Sequence, residues 1–569
     1  VVRVHHPDCK LALIQKHMPD QNNKDAARPA GYKLYLRMVL EHSDIPKRTI
    51  IFYTVISGIV NAVLLSVLNA AANSAGEGEV QVKYLLLFAI ALTIFYITKR
   101  YILRKSVIIV ENAVYSLRLR ILEKLRRCEL SPMESIGKDE IFTRVSNDTN
   151  FISQSAAVII NAFQALVLVT FALIYIGFLS FTAFAATIVI LVIAISYFLR
   201  RQNDINRELR EANKNEAAFY DHIENLIEGF KEIKINHLKN EQLFTDVRQT
   251  ADYGKEVKTS SGLRFAVGYM FSEMVFYLLL ASIIFLLPQF QTLYTGTLTR
   301  LTASILFVIG PLENIVTTIP LFAKAIQATQ NIDHLEQKIS SYAENDTPKS
   351  HPALPPFEEI KLENVVYDYM DEERQSSFTL GPINFTLKKG SLICVIGGNG
   401  SGKSTFLKVL TSLYHPASGR ILVNGTELRN FDKEDYRFWF STIFTDFHLF
   451  PKIYGIPNLN ADKVNEYINL MGLSHKTHFN GTNFSNVRLS TGQRKRLALI
   501  CTLLEDKPIM ILDEVTADQD PGFKKFFYTE VLPSFRLKGK TVIMVSHDDK
   551  YTEQFDKVIE MEYGKIISQ

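Results

Sequence analysis

Cysteine and tryptophan are scarce in this 569-residue sequence, with four copies of one and one of the other. Cys9, Cys128, Cys394 and Cys501 show neither paired nor metal-ligand spacing, which argues against a disulfide framework or a zinc site and fits reduced thiols in a cytosolic setting. Charge is also sparse, at 21% of residues, and the net +4 is spread over both signs, so nothing points to nucleic acid. The first 48 residues are polar and hold no short apolar core, which speaks against a secretory signal there. No internal repeat or low-complexity tract stands out.

What the sequence has in quantity is apolar surface: 47% of residues are hydrophobic, with 38 Phe and 24 Tyr. Length alone suggests about three units. After a polar lead-in, residues 1–48, with one short helix expected near Tyr35 to Leu40, six apolar stretches follow. They are Thr49 to Ala72, Tyr84 to Leu103, Ala156 to Leu179, Phe181 to Phe198, Phe265 to Leu287 and Leu301 to Phe322. Each is close to the roughly 20 residues that cross a hydrocarbon core of about 30 Å. Asn73 to Val82, the turn near Ser180 and Pro288 to Leu298 carry no Lys or Arg, whereas Lys99, Arg100, Arg104, Lys105, Arg200, Arg201, Arg207 and Arg210 fall in the other two connections. The positive-inside rule then places both termini in the cytoplasm. Those basic connections run about fifty to sixty residues with helical periodicity, so the membrane helices are expected to continue into the cytosol.

The membrane domain is expected over 49–335, a proline-rich linker over 336–356 and an α/β domain over 357–569. In the last of these, Ile360 to Leu362, Ser391 to Ile396, Ile509 to Leu512 and Thr541 to Val545 read as strands between helical segments, the pattern of a mainly parallel sheet. Ser391 to Ile396 leads into Gly397-Gly-Asn399-Gly400-Ser401-Gly402-Lys403-Ser404-Thr405, a phosphate-binding loop opening into a helix. Glycines let backbone N–H groups close on phosphates, Lys403 reaches the β/γ phosphates and Ser404 offers its hydroxyl to Mg²⁺. Ile509 to Leu512 ends in Asp513, suited to Mg²⁺, and Glu514, suited to orient or deprotonate water. Leu489-Ser490-Thr491-Gly492-Gln493 is a second small-residue turn at a helix start, able to present N–H groups and a hydroxyl to phosphate.

The order of Gly397 to Thr405, Leu489 to Gln493, Ile509 to Glu514 and Ser546-His547 resembles the ATP-binding cassette of ABC transporters, and the six preceding spans resemble their exporter-type membrane domain. The resemblance covers nearly everything from Thr49 onward, and the Leu-Ser-x-Gly-Gln element is specific to that family. It implies ATP and Mg²⁺ as cofactors, Tyr369 stacked on adenine, Asp518-Gln519-Asp520 facing another cassette and His547 at the γ-phosphate. With one phosphate loop and one Leu-Ser-x-Gly-Gln element per chain, each ATP needs Ser490 and Gly492 of a second copy, hence a homodimer. Gly381-Pro-Ile-Asn, Phe444-Thr-Asp446, Ala517 to Pro521 and Ser546 to Asp549 are similar to the bacterial cyclic-peptide exporter branch, which implies peptide-like cargo and the bacterial inner membrane. A lipid flippase and a nucleotide-gated channel or regulatory subunit are the rival functions. Glu514 and His547 weigh against the last of these.

The chain departs from the family pattern where most exporters place a Gln that links Mg²⁺ to the membrane domain. Thr445 stands there, followed by Asp446, and both are candidate metal-side residues. The segment from Phe450 to Leu489 also lacks the usual acidic, glycine-containing motif. Ile136 to Asp148 and Tyr220 to Ile233 resemble segments that dock on the cassette, and they also fit plain amphipathic helix faces. Glu273 and Glu313, the carboxylates of the fifth and sixth spans, fall at matching depth. They either make a central cavity acidic, favouring cationic cargo, or line a wet cytosolic vestibule.

Overall fold

The computed structural model describes residues 31–41, 47–76, 82–290, 295–341, 354–371 and 376–568. Most of the polar lead-in and of the expected linker lies outside the described residues. A helix at Gly31–Glu41 meets the short helix expected near Tyr35.

The apolar stretches fold as α1 (Lys47–Gly76), α2 (Val82–Arg126), α3 (Thr149–Leu179), α4 (Phe181–Glu228), α5 (His237–Ala281) and α6 (Thr295–Ser341). Four of them run 45 to 48 residues. At about 1.5 Å per residue that is roughly 70 Å, more than twice a hydrocarbon core, as the helical periodicity of the long connections requires. Among the described residues, five helices carry apolar windows long enough to span a membrane, and Phe181–Tyr197 adds a shorter one. Their surfaces are apolar outside as well as inside, unlike those of a water-soluble bundle. Leu85, Ile90, Ile97, Val192, Ile195, Leu278 and Phe285 are exposed, while small and polar side chains such as Ala172, Ala183, Ser304 and Thr187 are buried between helices.

Contacts divide the chain into two compact units, and the division does not follow the sequence boundaries simply. One unit holds the described residues up to Leu122 and Phe142–Glu336, and the other holds Glu123–Ile141 together with Gln337 onward. The strip Glu123–Ile141 therefore folds with the α/β domain, although it lies between two membrane helices in the chain.

In the second unit a six-stranded sheet has the order β10-β9-β3-β8-β7-β6. Its strands are β3 (Leu392–Ile396), β6 (Phe440–Ile443), β7 (Ile509–Asp513), β8 (Thr541–Val545), β9 (Lys557–Glu562) and β10 (Lys565–Ser568). All its pairings are parallel except that of β9 with β10. Alternation sorts the side chains: Ile393, Val395, Ile511 and Ile543 enter one core, and Leu392, Cys394, Met510 and Met544 the other. A strand buried on both faces reads as a continuous apolar run, which is why these were visible in the sequence. The antiparallel sheet β2-β1-β4-β5 was not expected. It is built from β1 (Glu359–Asp371), β2 (Ser376–Lys388), β4 (Ser418–Val423) and β5 (Thr426–Glu427).

Candidate active site

Strands β3, β8 and β7 are neighbours, so Gly397, Ser546 and Asp513 emerge at the same edge, the carboxyl ends of a parallel sheet. The turn after β3 is tight: a Cβ on Gly397 would lie 2.3 Å from the Met561 carbonyl oxygen. The loop then enters α7 (Lys403–Leu410), whose first N–H groups face an anion site.

A cavity of about 600 Å³ opens here, lined by Tyr369, Asn399, Gly400, Ser401, Gly402, Lys403, Ser404, Thr405 and Glu514. Lys403 Nζ donates to the carbonyl oxygens of Gly397 and Gly398, both at 2.8 Å. Burial pushes this ammonium below its ordinary value, against the pull of Glu514 and Asp513. Asp513 Oδ2 accepts from Ser404 Oγ and from Thr445 Oγ1, each at 2.8 Å. Burial also raises Asp513, and the Thr445 and Ser404 hydroxyls work against it. A buried carboxylate flanked by two hydroxyls is a hard-oxygen donor set of the kind Mg²⁺ takes alongside phosphate and water. The residues present thus fit that ion. Among the described residues no cluster of three or more His, Cys, Asp and Glu could hold a metal without such help. Asp446 is exposed and is not among the partners of Asp513.

Glu514 follows β7 in the left-handed region, φ 53°, which holds its carboxylate out from the strand end. Its N–H donates to Val545 O at 3.2 Å, and Lys495 Nζ donates to its carbonyl at 2.9 Å. His547 Nε2 lies 3.2 Å from Glu514 Oε1, so the expected catalytic pair is one assembled unit. A carboxylate at the mouth of a phosphate-binding cavity, with an imidazole beside it, has the chemistry to orient or deprotonate a water.

Ser490, Thr491, Gly492, Gln493 and Asp520 do not line this cavity. They cluster instead at α8 (Thr491–Glu505), where the Ser490 N–H donates to Gln493 Oε1 at 3.3 Å. Gly492 is required there, because a Cβ would sit 2.7 Å from Asp518 O. Lys495 also donates to Asp518 Oδ2, and Arg496 bonds Gln519 and Asp520, tying α8 to the loop after β7. Asp518-Gln519-Asp520, expected to face another cassette, is thus bonded within its own chain.

Four lining residues were not anticipated: Phe378, Lys408, Tyr414 and Glu134. Glu134 lies in the short helix Leu130–Ile136 of the strip that folds with this unit. It accepts from Lys408 Nζ at 2.9 Å and from Tyr414 OH at 2.5 Å, and Ser131 is 3.4 Å from Tyr367 OH. Glu129 meets His415 at 2.6 Å. Burial works to raise Glu129, but His415, Lys433 and Arg437 outweigh it and hold the carboxyl below its ordinary value. The docking residues thus begin at Glu129, ahead of the expected start at Ile136. The second expected stretch, Tyr220 to Ile233, belongs to the other unit.

In the membrane unit, Glu273 is exposed and Glu313 half-buried. A cavity between α1, α2, α3 and α6 is lined by neither, and its ionisable residue is Lys99. Gly310, Pro311 and Asn314 supply the α6 wall, and successive helix residues point about 100° apart, which turns Glu313 away from Asn314. The sequence had suggested Lys99 as an orienting charge of a cytosolic connection. It lies instead on a helix packed against α3, where its Nζ bonds Asn161 and Gln164.

Comparison with known proteins agrees with this geometry. Residues 49–287 match the model of the ABC transporter transmembrane region, and residues 380–517 that of the ABC transporter family. The chain is 30% identical over 466 residues to the ATP-binding protein SyrD of Pseudomonas syringae pv. syringae, covering 79% of this chain and 82% of that protein. This chain belongs to the ABC transporter family. Subtilin transport ATP-binding protein SpaT of Bacillus subtilis is 26% identical to the transporter over 492 residues, 80% of this chain and 76% of that one. An ATP-dependent lipid A-core flippase of Haemophilus ducreyi is 23% identical over 492 residues, 80% of each. A structure of a bacterial Atm1-family ABC exporter with ATP bound superposes with TM-score 0.74 at 16% identity, covering 92% of this chain and 94% of that one, and shares the fold. The transporter is a multi-pass membrane protein whose cassette binds ATP and hydrolyses it in support of transport.

Proposed function

We propose that the transporter is a homodimer in the bacterial inner membrane, with both termini cytoplasmic, that exports a modified or cyclic peptide by alternating access. The observation that carries the dimer is the division of its nucleotide machinery. Lys403, Ser404 and Glu514 line one cavity, with Asp513 bonded to Ser404 behind its wall, while Ser490 to Gln493 stand off it and are available to close the site of a second copy. The turn joining α4 and α5 adds support, because Ile227, Phe230, Ile235 and Leu238 are exposed there, Ile235 at 88%. Such an apolar group outside the membrane windows suits a protein partner. Mg²⁺ would be held by Asp513, Ser404 and Thr445 and would supply positive charge to the phosphate oxygens. Peptide cargo is supported by the branch-like motifs at Gly381, Phe444 and Ala517, and one relative is named for subtilin transport. Lipid transport is the second reading, since other relatives are named as lipid A-core flippases.

Mixed dimers test the shared site. A chain carrying Lys403→Ala paired with one carrying Ser490→Arg places both lesions in one site and leaves the other whole. Such dimers in lipid nanodiscs, given ATP and vanadate, should trap one ADP per dimer, and each variant alone should trap none. Equal trapping by mixed and single-variant samples excludes the shared site. Adding a cyclic lipopeptide or lipid A-core to the wild-type protein and reading ATPase stimulation decides between the two cargoes.

A further inference from the structure

The cavity between α1, α2, α3 and α6 has a volume of about 460 Å³. Its walls include Asn61 and Ser57 from α1, Lys99 from α2, Asn161 and Gln164 from α3, and Asn314 from α6, and they contain no Asp or Glu. All these residues fall within helices carrying membrane-length apolar windows. An ammonium and four amides in such a place are costly unless paired.

Their internal pairing is lopsided. Lys99 Nζ donates to Asn161 Oδ1 at 3.4 Å and, through a shorter bond, to Gln164 Oε1. That spends the amide oxygens on the lysine and leaves the amide N–H groups pointing elsewhere. Gln164 is only 8% exposed, and its Nε2 has no hydrogen-bond partner. A buried, unpartnered donor costs free energy, so Gln164 lacks an acceptor here. The sixth helix adds room where the others add donors: Gly310 and Pro311 line the same space.

A positive charge, an unmatched amide donor and no carboxylate among the described lining residues define the complementary ligand. We propose that this cluster is a cargo subsite that receives a carboxylate of the transported peptide, with Lys99 as the charge partner and the Gln164 amide as a second donor. This rests on the peptide-export reading and deepens it by naming the recognised group. It also reverses the sign expected from Glu273 and Glu313, since the recognised group is an anion.

The test uses the full-length protein in phosphatidylcholine nanodiscs. Calorimetry compares an N-lauroyl pentapeptide with a free C-terminal carboxylate against the same peptide as its C-terminal amide. The wild type should bind the acid about tenfold more tightly, the scale of one charge-assisted interaction. Lys99→Arg should keep the preference, Lys99→Met should abolish it, and Gln164→Leu should narrow it. Gln164→Leu carries the comparison if Lys99→Met does not fold. Equal affinity for acid and amide in the wild type, or a preference that survives Lys99→Met, overturns the proposal while leaving peptide export standing. In a second arm, phosphatidylglycerol replaces part of the phosphatidylcholine. If neither peptide binds and the lipid shows a Lys99-dependent preference, the peptide reading itself falls, and this assignment with it.

Discussion

In the cassette, Lys403, Ser404, Thr445 and Asp513 come from the carboxyl ends of β3, β6 and β7, where Asp513 gathers the Ser404 and Thr445 hydroxyls and Lys403 bonds loop carbonyls. In the membrane unit, Lys99, Asn161 and Gln164 come from the middles of two long helices and leave a buried donor unmatched. Both sites are polar groups gathered in an otherwise apolar setting. The first is built at the ends of strands, where short loops carry runs of consecutive polar residues, and the second on helix faces, where apolar residues separate the polar ones; both draw partners from sixty or more positions away. Each site also holds one buried polar atom without a partner, Ser401 Oγ in the loop and Gln164 Nε2 on the helix, and each looks to a ligand to supply it.

Breaking the cassette site should have the largest effect. Glu514→Gln keeps Lys403 and the Asp513 cluster but removes the carboxylate that faces water, so steady-state ATP turnover should fall about 10²- to 10⁴-fold with ATP binding retained. Turnover near wild type would take the general-base role away from Glu514. A smaller effect should follow from Thr445→Val, which deletes one hydroxyl beside Asp513. The Mg²⁺ concentration for half-maximal ATPase should rise about three- to tenfold, the loss of roughly 1 kcal/mol of hydrogen bonding. Asp446→Ala should leave it near the wild-type value, and the reverse ranking would move the metal contact from Thr445 to Asp446. Smallest of all, the Glu273→Gln, Glu313→Gln double variant should change cargo-stimulated ATPase by less than about twofold, because neither carboxylate lines the polar cavity. A large loss of stimulation would restore the acidic cavity and weaken the contrast drawn here.

The same contrast explains what could be read in advance. Gly397 to Thr405 and Asp513-Glu514 were legible because their chemistry is written in consecutive residues after apolar runs. Thr445 was noticed because alignment on Leu449-Phe450 put it where a Gln was expected, and the structure places its hydroxyl on Asp513. Glu134 was not legible, because nothing near it in sequence hints at Lys408 or Tyr414, some 270 residues away. Lys99 misled for a related reason. At the end of an apolar run a lysine resembles a boundary charge, and only the packing of α2 on Asn161 and Gln164 gives it another role. The antiparallel sheet was missed in part because β1 and β2, with charged and polar residues such as Lys361, Glu363 and Thr379, lack the uninterrupted apolar runs that marked the central strands.

The strip Glu123–Ile141 folds with the cassette while being encoded far ahead of it. Its Glu129 and Glu134 supply carboxylates to His415, Lys408 and Tyr414. A cassette cut out at Phe357 would therefore part from pieces of its own surface. A chimera that exchanges cassettes between relatives would inherit mismatched charges unless that strip travelled too. As a unit of inheritance, the cassette of this transporter is two separate stretches of gene, and substitutions in one should be tolerated only alongside compensating substitutions in the other.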